Sequence, residues 1–329
     1  MMYSQSQLLD LFNEYLSAYS FDRSPRSLYD PVKYVLSLGG KRIRPVLMMM
    51  AHNIYKEEVA NILPVAMGIE MYHNYTLLHD DLMDRADKRR GKDTVHRVWN
   101  DNAAILSGDA MLVLSYQLVG SCDSSQLQEV IALFSRTALE ICEGQQFDME
   151  FENRNDVSER EYLDMIRLKT AVLLACSLKL GAILAGASIK DADLLYEVGI
   201  NIGLAFQLKD DLLDVYGDPK VFGKNIGGDI LCNKKTFLLI NSLVKSNNEQ
   251  KIILQKWLSA TEYVPQEKIA AVKSVYDELG IRMYCEQQIE MYCERAENCL
   301  TQLNVPDERK LQLKDIIYNL RERDRKSVV

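Results

Sequence analysis

The stretch PVAMGIEMYHNYTLLHDDLMD, residues 64–84, decides the fold class. Pro64 suits a first helical turn, where its missing N–H costs nothing. Apolar residues then recur at helical spacing, and nothing alternates with period two. The stretch predicts one long helix ending in Asp80-Asp81-Leu82-Met83-Asp84. Residues four apart on a helix share a face, so Asp80 and Asp84 point the same way. Asp81 is offset from them by about 100°. Stacked carboxylates repel unless a cation joins them, and hard oxygens suit Mg²⁺.

The same periodicity extends in both directions. Leu8, Leu9, Phe12, Tyr15 and Leu16 form one face of a first helix. Pro31 is read as opening a second segment, which Gly39-Gly40 stops. Pro45 sits near the start of a helix that runs to about Tyr55. Residues 102–119, 124–151, 158–187 and 191–216 read as further helices, and Ser158 with Glu161 makes a capping box. Past Pro219 a Gly- and Lys-rich loop runs to Lys235, and helices follow with breaks near Pro265 and Pro306. Sixteen Gly and seven Pro in 329 residues are too few for many short strands. With no fixed repeat and no low-complexity linker, the expectation is one all-α domain over residues 1–329. A solvated, frayed tail is expected over residues 321–329.

A net charge of −8 removes the global basic footprint of a nucleic-acid binder. Local basic clusters can still hold a small anion. The seven cysteines are odd in number and have no CxxC spacing. They point away from a disulfide framework or structural zinc, and toward reduced thiols in the cytoplasm. Met1 to Asp10 lacks the basic start and apolar stretch of a signal peptide. The most apolar run, residues 170–188, is interrupted by Lys179, Gly181 and Gly186. It reads as a helix buried on all sides, not as a membrane span.

The acidic pattern recurs at Asp210-Asp211-Leu212-Leu213-Asp214. One such triplet is common on helix surfaces, but each of these closes an apolar helix. Six carboxylates suit several Mg²⁺, and Mg²⁺ usually brings substrate phosphates with it. Basic residues accompany the triplets. Gly39-Gly40-Lys41-Arg42-Ile43-Arg44-Pro45 sets Lys41 and Arg44 three apart at a helix start, where anions are already favoured. Arg89-Arg90-Gly91 follows the first triplet, Lys169-Thr170 opens the apolar run, and Lys224 and Lys234 follow the second triplet.

On these residues the chain resembles the trans-isoprenyl diphosphate synthases, or polyprenyl synthetases, from about Tyr29 to Leu239. The likeness rests on Gly39-Gly40-Lys41-x2-Arg44-Pro45 and on His73-x5-His79-Asp80-Asp81-x2-Asp84 with Arg89-Arg90-Gly91 and Thr94. It rests equally on Phe206-Gln207-x2-Asp210-Asp211-x2-Asp214-x2-Gly217-Asp218. The resemblance implies a bundle of long antiparallel helices around a central apolar cavity. It implies Mg²⁺-dependent, head-to-tail condensation of isopentenyl diphosphate with an allylic diphosphate, and a helix-packed homodimer. By resemblance, Asp80, Asp84 and Asp210 hold three Mg²⁺ on the allylic diphosphate, and Asp81, Asp211 and Asp214 support that cluster. Arg89, Lys169, Lys224 and Lys234 grip the same diphosphate, while Lys41, Arg44, His73 and Arg90 bind isopentenyl diphosphate. Thr170 and Gln207 lie beside the carbocation. Gln145 and Asp148 match another family position near the pocket. The released diphosphate serves as base in this family, so His79 is read as structural.

The growing tail is expected to run beneath the first triplet, past Thr76, Tyr75 and Tyr72. At helical rise, Tyr75 lies about 7.5 Å and Tyr72 about 12 Å from Asp80. A ring at these positions makes a floor. In the family, small residues five before the motif accompany long products, so Tyr75 implies a product of about C15 to C20. Bacterial farnesyl enzymes of the family often carry two extra residues inside the first motif. This chain has none, which leaves geranylgeranyl beside farnesyl. Two other classes stay open: a terpene cyclase of the same fold, and a non-catalytic subunit of a heteromeric synthase. The first usually has one DDxxD and a different second metal motif. The second would have lost the aspartates.

Overall fold

The computed structural model describes residues 2–217 and 226–322. Lys224, Asp218 and the tail from residue 323 onward lie outside the described residues, and so do the expectations attached to them. The chain divides into two compact units.

The first unit comprises Met1–Arg136, Cys176–Leu195 and Asn304–Gln312. Helix α1 (Gln5–Ala18) starts at a capping box between Ser4 and Gln7, and buries Leu8 and Phe12. Helix α2 (Arg26–Ser37) corrects one expectation, because Pro31 lies inside it. Pro25, extended at the N-cap, opens this helix. A Pro within a helix loses a backbone hydrogen bond and costs about 3 kcal/mol. Burial of the Pro31 ring beside Val32, Val35 and Leu36 offsets that loss. Gly39 follows in the left-handed region at φ 78°, as expected of a stop.

Helix α3 (Ile43–Tyr55) and helix α4 (Leu63–Met83) carry the core side chains Met48, Met49, Ala51, Ala66, Ile69 and Met71. After α4 comes a two-residue hairpin, β1 (Lys88–Arg89) paired with β2 (Lys92–Asp93), which periodicity cannot reveal. Arg90 and Gly91 at its turn both have positive φ, 53° and 76°, as a tight two-residue turn requires. A short helix α5 (Val95–Val98) leads to α6 (Asp101–Val119), capped by the Asn100 side chain. Helices α4 and α6 pack antiparallel, since Gly68 meets Ser115 and Val119 while His79 lies against Gly108.

The second unit comprises Thr137–Ala175, Tyr196–Leu303 and Leu313–Val329. Helix α7 (Leu127–Glu152) contributes its second half. Ser158 caps α8 (Glu159–Ile166) through the expected capping box. A wide π turn, Arg167–Ala171, joins α8 to α9 (Val172–Ala185), and α10 (Ile189–Tyr216) follows. The remaining helices are α11 (Gly228–Leu231), α12 (Phe237–Lys245), α13 (Asn248–Ser259), α14 (Pro265–Glu278), α15 (Ile281–Thr301) and α16 (Asp307–Arg321). The run Glu159–Ala185 is long and apolar enough to cross a bilayer, but 83% of its apolar window is buried in protein. That matches the expected all-round burial. Helix α6, shorter and less apolar, is also long and apolar enough, with 44% of its window buried.

Candidate active site

The first triplet closes α4. Asp81 is buried, at 6% exposure, and the Arg89 guanidinium from β1 lies on it. Nη2 and Nε of Arg89 donate to Asp81 Oδ1 at 2.6 and 2.9 Å, and Nη2 reaches Asp80 Oδ2 at 3.4 Å. Burial pushes the Asp81 carboxyl up, against the pull of Arg89. Asp84, the third carboxylate, is exposed. The Thr94 hydroxyl ties the hairpin down by donating to the Ala86 carbonyl at 2.7 Å.

A cationic cluster forms in the same unit. Arg44 Nη1 meets His73 Nε2 at 3.1 Å, while the buried Arg44 Nε has no hydrogen-bond partner among the described residues. Burial draws the Arg44 guanidinium down to about 10, which leaves it charged at neutral pH. His73 is held well below its ordinary value by burial, then by the charges of Arg44, Arg90, Arg89 and Arg42. It is therefore a neutral hydrogen-bonding group. Arg90 donates to the Gly39 carbonyl. Gly40, at φ 134°, is needed there for its backbone angle, and a Cβ would also displace the Arg90 guanidinium, 2.7 Å away at Nη2. Lys41 is exposed just ahead of α3. Arg42, in the same basic run, has a structural task. It is buried, pairs with Glu70 at 2.6 Å, and donates to the Leu36 carbonyl at 2.7 Å. Nothing in the run's spacing separates it from its neighbours.

The second triplet closes α10. Asp211 is 2% exposed. It accepts from the Tyr162 hydroxyl, from the Phe237 N–H at 3.2 Å and from Gln207 Nε2 at 3.3 Å. Burial raises its carboxyl to about 7. Asp214 accepts from the Asp229 N–H at 3.0 Å, and it too is raised, first by burial and then by the Asp229 charge. The Lys234 charge acts in the opposite sense on both. Sequence reasoning missed Tyr162 and Asp229, because both reach the triplet from elements with no periodic relation to it.

Lys169 and Thr170 stand on the π turn, where the Val172 N–H donates five residues back to Arg167. Such turns recur at functional sites. Lys169 Nζ pairs with Asp148 Oδ2 at 2.6 Å, and the Thr170 hydroxyl donates to Gln207 Oε1 at 3.4 Å. Tyr72 and Tyr75, the residues of the expected floor, belong to a cluster of tilted and edge-on rings in the first unit. Tyr72 meets Tyr75 at 5.4 Å and Phe134 at 5.2 Å, Phe134 meets Tyr116 at 4.9 Å, and Tyr75 meets His79 at 4.8 Å. Thr76 spends its hydroxyl on the His73 carbonyl of its own helix.

Among the described residues, no three His, Cys, Asp or Glu side chains form a closed metal site. The donors nonetheless fit Mg²⁺. They are oxygens only, and burial raises the carboxyls of Asp81, Asp211 and Asp214, a strain that a divalent cation relieves. Mg²⁺ needs only one or two carboxylates beside phosphate oxygens and water.

The model of the family described as polyprenyl synthetase matches residues 25–279. A short chain isoprenyl diphosphate synthase of Methanocaldococcus jannaschii is 41% identical over 251 residues, covering 76% of each chain. A geranylgeranyl diphosphate synthase of Methanosarcina mazei is 40% identical over 223 residues, covering 67% of this chain and 69% of its own. A crystal structure of a geranylgeranyl pyrophosphate synthase aligns with a TM-score of 0.93 at 44% identity, covering 99% of this chain and 100% of that one. Matches of this extent and identity establish that the chain belongs to the polyprenyl synthetase family.

Proposed function

We propose that this chain condenses isopentenyl diphosphate head to tail with allylic diphosphates, giving a linear all-trans prenyl diphosphate of about C15 to C20. The observation that carries this is the buried Nε of Arg44, which has no hydrogen-bond partner among the described residues, beside the neutral His73. A buried guanidinium donor calls for an anion. The carboxylates of Asp80 and Asp81 with Arg89 already provide for one metal-bound diphosphate, so Arg44 provides for a second. A cyclase handles one diphosphate and leaves Arg44 without a task.

In this reading Mg²⁺, when bound at Asp80, Asp84 and Asp210 with Asp81, Asp211 and Asp214 in support, neutralises the departing diphosphate. Arg89, Lys169, Lys234 and Lys224 bind the allylic diphosphate. Their positive charges offset the negative charge that develops on its oxygens. Lys41, Arg44 and Arg90 hold isopentenyl diphosphate, and His73 completes that site as a hydrogen-bonding group. The allylic C–O bond breaks with its electron pair going to diphosphate. The isopentenyl double bond then attacks the allylic carbon, and the proton lost passes to the released diphosphate. The side-chain oxygens of Thr170 and Gln207 stand beside the positive carbon. Tyr72 and Tyr75 stop the tail, which favours C20 or C15 over longer products. Residues 1–329 act as one prenyltransferase domain in the cytoplasm, as a homodimer; the exposed Ile105, Leu106 and Val113 on α6 support the dimer.

The test is diphosphate release from an allylic substrate, with and without isopentenyl diphosphate. Release that depends on isopentenyl diphosphate supports the reading. Rapid release without it, with a cyclic hydrocarbon formed, overturns the reading in favour of a cyclase.

A further inference from the structure

The π turn that carries Lys169 and Thr170 is met by helix backbones at two glycines. On α7, a Cβ at Gly144 would stand 2.3 Å from the Lys169 backbone nitrogen and 2.8 Å from its Cα. On α10, a Cβ at Gly203 would stand 2.5 Å from both Cα and Cβ of Ala171. No side chain fits at such distances, so each helix lies against the turn as closely as backbones can approach.

Each glycine also stands one helical turn before the partner of a turn residue. Asp148 follows Gly144 by four and holds Lys169 Nζ at 2.6 Å. Gln207 follows Gly203 by four and accepts from Thr170 at 3.4 Å. Residues four apart share a helix face, so the close approach and the polar partner are delivered by the same face. Asp148 has a short side chain, and its reach depends on that approach.

We propose that Gly144 and Gly203 are positioning residues for the reaction, because the backbone contact they permit sets where the Lys169 amine and the Thr170 hydroxyl stand. This rests on the roles given above to Lys169 and Thr170. An alanine at either position must push the turn away by roughly 1 Å, and a displacement of that size can cost about 100-fold in rate.

Gly199 supplies the structural control. It lies one turn before Gly203 on α10, and a Cβ there would stand 2.3 Å from Ala175 Cα. The steric insult is equal, but Ala175 lies beyond the π turn and pairs with no site residue.

The experiment compares Gly144→Ala, Gly203→Ala and Gly199→Ala by urea midpoint and by steady-state kinetics, varying each diphosphate separately. Expected are kcat losses of about 10- to 100-fold in the first two, with KM rising more for the allylic than for the isopentenyl substrate. Gly199→Ala should stay within a few-fold of wild type in kcat despite a comparable loss of stability. Adding Asp148→Glu, which lengthens the side chain, should restore part of the activity of Gly144→Ala. Equal activity losses in all three variants, tracking stability, overturn the proposal. If an alanine variant does not fold, Asp148→Glu alone decides, since it shifts the carboxylate without moving the backbone. A raised allylic KM supports the clamp, and unchanged kinetics overturn it. A wild-type chain that elongates nothing is a distinct result, which overturns the proposed function and the clamp with it.

Discussion

Arg44 Nη1 lies 3.1 Å from His73 Nε2, and because Arg only donates, the imidazole nitrogen accepts. The pair is thus one cation and one neutral ring, with the guanidinium Nε still unmatched. Removing the cation in Arg44→Leu should weaken isopentenyl diphosphate binding by the worth of a charge-assisted hydrogen bond, about 1.5–3 kcal/mol, or roughly 10- to 150-fold in KM. The KM for the allylic substrate should change by only a few-fold. Steady-state kinetics with each substrate varied in turn checks this.

The ring cluster that Tyr72 and Tyr75 of α4 form with Phe134 predicts a change of product. Tyr75→Ala opens the first ring, and the double variant with Tyr72→Ala opens the second. The double variant should make products longer than the wild type's, read by chromatography of the dephosphorylated alcohols. Tyr72 is 1% exposed and packs on Phe134, so its loss should also cost about 3–5 kcal/mol of stability. Unchanged product length in a folded double variant rejects the floor.

Tyr162→Phe removes one donor from the buried Asp211 carboxylate while keeping the ring. A buried acceptor losing a partner costs about 1–3 kcal/mol. The urea midpoint should fall accordingly, and kcat should fall with it because Asp211 belongs to the second triplet. A variant as stable and active as wild type contradicts the assignment.

The pH dependence of stability has a source away from the site. His52 is 2% exposed, its Nδ1 has no partner, and burial lowers it from 6.5 to about 4. The unfolded chain therefore binds this proton more readily than the folded one. Stability should be fully present above pH 6.5 and fall as pH drops toward 4, by about 3 kcal/mol in all for this group. His52→Gln should flatten that slope in urea titrations across the same window.

Much of this was legible in the sequence, for physical reasons that mark its limits. Helices α4 and α10 follow from apolar spacing, and the triplets at their ends from four-residue repetition. Pro31 misled because a Pro can sit inside a helix when its ring is buried, and burial is a tertiary property. The hairpin at Arg90-Gly91 escaped because two-residue strands carry no period. Arg42 and Arg44 are alike in the sequence, yet a buried Glu70 claims the first, while the Nε of the second has no partner among the described residues. Asp229 and the π turn were invisible, since the first reaches Asp214 from the start of the short helix α11 and the second depends on Gly144 and Gly203 in distant segments.

The most direct measurement is product analysis of the purified chain with Mg²⁺, isopentenyl diphosphate and, in separate reactions, dimethylallyl, geranyl and farnesyl diphosphate. Linear all-trans products ending at C15 or C20 are the predicted result. No elongation from any starter would contradict the account.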